Sequence, residues 1–68
     1  MKLIDTCGFS CPQPVLMVHP HLNGSEAIDV LVDNDASREN VTRAARNSGW
    51  IVTEKKEANG VTRLELRK

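Results

Sequence analysis

Two prolines flank one residue in the run Cys11-Pro12-Gln13-Pro14, which lies between a short apolar segment ending at Asp5 and a second apolar run, Val15-Leu16-Met17-Val18. Proline fixes φ and has no N–H to offer, so it breaks the interior of a helix or a central strand but suits the first helical positions, where an N–H has no intrahelical partner. The run therefore predicts a strand, a loop and then a helix start, with Cys11 just outside that start. There it faces unpaired backbone N–H groups and the positive end of the helix dipole.

A thiol in that position ionises more readily. At its ordinary pKa of about 8.5 a cysteine is roughly 3% thiolate at pH 7, and the thiolate is the reactive form. If the helix terminus supplies about 1.4 kcal/mol, the pKa falls by about one unit and the thiolate fraction rises to roughly a quarter. Cys11 is thus a candidate nucleophile without any basic partner. The alternative is a small buried side chain beside a turn.

The rest of the chain reads as one unit, with no repeat, low-complexity stretch or linker. Lys2 to Asp5 is a short strand, Cys7 to Ser10 a loop, and about Pro12 to His19 a helix that stops near Pro20 and Asn23-Gly24. Ala27 to Asp33 is a dense apolar strand. Asn34 or Asp35 caps a second helix, whose Val41, Ala44, Ala45 and Ser48 have the spacing of a buried face, and Gly49 is placed to end it. Trp50 to Glu57 and Val61 to Arg67 pair as a hairpin around Asn59-Gly60. The order is βαβαββ. Right-handed crossovers make this an α+β two-layer sandwich, a four-stranded mixed sheet with two helices on one face and the other face open. Leu31 should point toward that open face, where its exposure would mark either an interface or an isolated surface residue.

Length and charge narrow the function. A chain of 68 residues buries only about 60% of its unfolded surface, which leaves room for one modest core and no enclosed substrate cavity. Nine basic residues against nine acidic ones argue against the broad basic surface that nucleic-acid binding requires. No apolar run approaches the roughly 20 residues needed to span a bilayer, and Met1 to Asp5 lacks the apolar core of a signal peptide. A cytoplasmic setting, in which thiols stay reduced, is expected.

Read from Asp5 through Pro14, the sequence gives Asp-x-x-Gly-x-x-Cys-Pro-x-Pro. With this motif the chain resembles the TusA/SirA-like sulfur carriers, and among them the N-terminal domain of YedF, a protein associated with selenium metabolism. Val15 to Val18, Val32-Asp33-Asn34 and Arg38-Glu39-Asn40-Val41 extend the likeness over nearly the whole chain, so residues 1–68 are expected to form one such domain. The resemblance implies a carrier rather than a stand-alone enzyme. Cys11 would accept sulfur, or selenium, as a persulfide or its selenium equivalent from a cysteine-desulfurase-type donor and pass it to an acceptor protein, with Asp5, Gly8, Pro12 and Pro14 framing the site. It implies no cofactor, no membrane and no direct nucleic-acid contact, and a monomer is expected. Family members commonly carry lysine or arginine soon after the motif and a longer first helix; here His19-Pro20-His21 follows, and the helix must end early.

Several residues carry two readings. Cys7 is either a small half-buried side chain or a second thiol that pairs with Cys11 or resolves a persulfide on it, which would make the chain a dithiol redox or regulatory interaction module. Phe9 either docks a partner or folds back on the first helix as a hydrophobic staple. Cys7, Cys11, His19 and His21 are all zinc-ligand types, but a helix between Cys11 and His19 separates the pairs by about 12 Å, and no metal is expected. Glu39 and Arg43 have the spacing of a surface ion pair.

Overall fold

The computed structural model describes residues 2–10, 12–24 and 26–68. Its elements follow the order read from the sequence: β1 (Lys2–Asp5), α1 (Gln13–Val18), a single 3-10 turn (His19–His21), β2 (Ile28–Val32), α2 (Asp35–Asn47), β3 (Ile51–Lys56) and β4 (Thr62–Arg67). The strands form one mixed sheet in the order β1-β2-β4-β3. β1 runs parallel to β2, with Lys2 opposite Ile28 and Asp5 opposite Leu31, while β4 lies antiparallel to both β2 and β3.

α1 is six residues long, and Pro20 then sits inside the 3-10 turn that follows it. The expected early stop is therefore a change of helix type rather than an abrupt end. α2 is anchored at both ends. The Asn34 side chain accepts the Ser37 N–H at 2.8 Å, and beyond the last turn Gly49, at φ +87°, lets the Gly49 and Trp50 N–H groups return to Arg46 and Ala45 O. Val41 and Ala45 are buried and Ala44 half-buried as the spacing predicted, but Ser48 is exposed, because the helix ends at Asn47 and Ser48 is its C-cap. The β3–β4 turn has positive φ at both Asn59 and Gly60, the twist that a tight hairpin needs.

The core lies between the sheet and the helices. Ile4, Ile28, Val30, Val32, Leu64 and Leu66 supply the sheet side, and Val18, Leu22, Val41, Ala45 and Trp50 close it. Trp50 satisfies its indole N–H on Leu22 O at 3.1 Å, which ties the end of α2 to the segment after α1. The opposite sheet face is less open than the alternation suggested. Asp29 is only 2% exposed there, held by Arg63 at 2.7 Å and Arg67 at 3.0 Å. Burial alone would raise its pKa, yet the two guanidinium groups hold it below the usual carboxylate value. Leu31, opposite Arg63, is half-buried rather than exposed.

Leu64→Ala is expected to lower unfolding free energy by about 2–5 kcal/mol in urea titration, because Leu64 lies in the middle of the core. Leu16→Ala, at a 60% exposed position, should change it by less than about 0.5 kcal/mol.

Candidate functional site

Parallel pairing places the carboxyl ends of β1 and β2 at the same edge of the sheet, and the loop that follows β1 is fastened there. Thr6 is fully buried. Its N–H and its hydroxyl both donate to Leu31 O, at 2.9 and 2.6 Å. The chain then turns, with Phe9 N–H donating back to Thr6 O at 3.2 Å. Gly8 is the third residue of this turn and has φ +87°, which a side chain would strain. That conformation accounts for glycine at this position.

Two carboxylates and one amide hold the turn from outside. Asp5 Oδ1 accepts the Cys7 N–H at 2.9 Å, and Asp33 Oδ2 accepts the Gly8 N–H at 2.7 Å. Asn34 Nδ2 donates to Phe9 O at 3.4 Å and to Asp33 Oδ1 at 3.0 Å, while its Oδ1 caps α2. One Asp-Asn pair at the β2–α2 junction thus fixes both the helix start and the loop. The Gly8 N–H and the Asn34 amide stabilise the charged form of Asp33 and lower its pKa.

Cys7 lies half-buried inside this frame. Burial, its hydrogen bond to Asp5 and the negative charges of Asp5 and Asp33 push its thiol from 9.0 up to about 11. Cys11, the sequence's candidate nucleophile, lies outside the described residues. Beyond it Ser10 O accepts the Gln13 N–H at 2.9 Å. Pro12 is exposed and occupies the cap position of α1, one residue before the helix that was expected to begin with it, and Pro14 is buried in the first turn. Phe9 is 45% exposed and lies outside the core, and Leu16, on α1, is 60% exposed. Among the described residues, no three His, Cys, Asp or Glu side chains are arranged to hold a metal.

The family model described as Sulfurtransferase TusA matches residues 2–68. The chain belongs to the TusA family. It is 34% identical over 71 aligned positions to a protein of Methanocaldococcus jannaschii named as a putative sulfur carrier, with 100% of this chain and 95% of that protein covered. A crystal structure of a SirA-like protein from Desulfitobacterium hafniense superposes with a TM-score of 0.89 at 33% identity, over 97% of this chain and 95% of that one. The TusA-family fold, with four strands and two helices, is therefore the fold of this chain.

Of the framing residues taken from the motif, Asp5 and Gly8 shape the turn directly, and Pro12 and Pro14 bound the helix start. The sequence reading missed Asp33 as a clamp and gave Asn34 only its capping role. Parallel pairing of β1 with β2 was the available signal, since it brings the residue after each strand to the same edge. The sequence reading also gave no separate role to Leu16, named only as part of the apolar run after the motif.

Three outcomes check this geometry. Asp33→Ala should speed hydrogen exchange at the Gly8 amide, and in the wild type the same amide should lose protection as pH falls through the lowered Asp33 pKa. The Cys7 thiol is neutral in the folded state above its ordinary pKa, so its contribution to stability is present below pH 9.0 and lost as pH rises toward about 11. Wild type should accordingly lose stability relative to Cys7→Ala across that interval in denaturant titrations. In a Cys11→Ser background, Asp5→Asn should shift the pH midpoint of Cys7 alkylation downward.

Proposed function

We propose that the chain is a sulfur carrier that holds a persulfide on Cys11 and relays it between a donor of the cysteine-desulfurase type and an acceptor protein. Membership of the sulfurtransferase family over residues 2–68 gives the reaction class, and a relative named as a sulfur carrier supports the role. The observation that favours Cys11 over a dithiol pair is the environment of Cys7. A thiol with a pKa of about 11 is only about one part in ten thousand thiolate at pH 7, which makes it a poor nucleophile and a poor resolving group.

The transfer is a thiol exchange without net redox change. The Cys11 thiolate attacks the terminal sulfur of a donor cysteine persulfide, R–S–SH. The donor's S–S bond breaks, its electron pair leaves with the donor as R–S⁻, and Cys11 carries S–SH. Delivery to the acceptor repeats the exchange in the opposite sense, and a selenium analogue follows the same steps. The exchange requires access from two different proteins, which suits a fastened loop at a sheet edge. The exposed apolar side chains of Phe9 and Leu16 are the parts of this surface suited to partner contact.

The test is the intact mass of wild type, Cys7→Ala and Cys11→Ser after incubation with a cysteine desulfurase and cysteine, with and without reductant. The expected result is a reducible gain of about one sulfur atom, roughly 32 Da, in wild type and Cys7→Ala and none in Cys11→Ser. A loss of about two hydrogens that needs both cysteines, with no sulfur gained, would establish the dithiol module instead.

A further inference from the structure

Arg38, Arg63 and Arg67 each meet a carboxylate, and among the described residues Arg43 and Arg46 are the arginines that do not. The pairing of Arg43 with Glu39 expected from their spacing is not made; Glu39 lies 3.6 Å from Arg38 instead. Arg43 and Arg46 are both exposed and, three residues apart on α2, share one face of the helix.

Two open grooves meet at this face. One, of about 370 Å³, lies between α1 and α2, with Pro12 at its α1 end, Val15 and Ala44 as apolar walls, and Arg43 and Asn47 on its far side. The other, of about 430 Å³, lies between α2 and β3 and is lined by Arg43, Arg46, Asn47 and Thr42 among others. Arg43 and Asn47 belong to both. The two grooves flank α2, with Arg43 and Asn47 on the ridge between them, and the first begins at Pro12, the residue after Cys11 in the chain. Thr42, on the wall of the second groove, has a buried hydroxyl with no hydrogen-bond partner among the described residues.

We infer that this face of α2 seats an acidic segment of the protein that donates sulfur to Cys11, with carboxylates on Arg43 and Arg46 and an aliphatic side chain in the first groove against Val15 and Ala44. The inference rests on the carrier reading. Charge complementarity selects the occupant, because guanidinium groups left without partners on a half-apolar surface match a carboxylate-bearing segment with one or two apolar side chains. Both grooves are open along their length, which suits a surface segment better than a small molecule that must be enclosed. Glu39 and Glu54 on the second groove interrupt the unbroken basic track that a phosphate backbone needs; both are engaged by Arg38, which leaves Arg43 and Arg46 to a short acidic segment.

The experiment measures KM and kcat for loading of Cys11 by a cysteine desulfurase with cysteine, at low and high salt, for wild type, Arg43→Glu/Arg46→Glu and Arg43→Lys/Arg46→Lys. In parallel each protein is loaded with inorganic polysulfide, HS–S⁻, which gives Cys11–S–S⁻ and HS⁻ and needs no docking. The reversal variant should raise KM about tenfold and flatten its salt dependence, as expected for loss of charge-assisted docking. The lysine variant should restore most of the wild-type KM, and polysulfide loading should be equal in all three, which also reports intact folding. An unchanged KM in the reversal variant, or a wild type that polysulfide loads and the desulfurase does not, would overturn the docking assignment. Failure of polysulfide itself to load wild-type Cys11 would overturn the carrier reading beneath it.

Discussion

The parallel pairing of β1 with β2 is the constraint on which the site depends. It brings the carboxyl ends of both strands to one edge, so that the chain leaving β1 meets the chain leaving β2. Thr6 fastens that meeting with two hydrogen bonds to Leu31 O. Asp33 and Asn34 then reach Gly8 and Phe9. Each bond is of ordinary strength, about 0.5–1.5 kcal/mol net. Their collective effect is to fix a loop in which, among the described residues, Thr6 is the one fully buried side chain.

The same clamp sets the chemistry of Cys7. Carboxylates that accept backbone N–H groups are good anchors but poor neighbours for a thiolate, and Cys7 lies between two of them. Its high pKa is thus a by-product of how the loop is held. A persulfide carrier gains from this arrangement, because a second active thiol four residues away would discharge the cargo. Asp29 is closed off most completely by its two arginines, whereas Phe9 and Leu16 are exposed and Arg43 and Arg46 meet no carboxylate among the described residues.

Much of the fold was legible because local signals agreed with one another. Asn59-Gly60, Gly49, Asn34 and the proline-flanked cysteine each marked an element boundary, and the alternation in Ile28 to Val32 gave the buried face. What was not legible depends on residues far apart in sequence. The sheet face that carries Asp29 was expected to be open, but β4 supplies Arg63 and Arg67 to close it over that carboxylate. Glu39 and Arg43 read as a pair by helical spacing, but β3 brought Glu54 to Arg38 and left Arg43 aside. The motif named Asp5 and Gly8 as framing residues without saying how; the turn, with its positive φ and its two carboxylate acceptors, supplies the reason.

The proposed division of labour is between Cys11, which reacts, and Cys7, which is held protonated. It is tested most directly by treating the wild-type protein with limiting iodoacetamide at pH 7 and locating the modification by peptide mass. The account expects alkylation at Cys11 with Cys7 left intact. Preferential modification of Cys7, or equal modification of both, would contradict it.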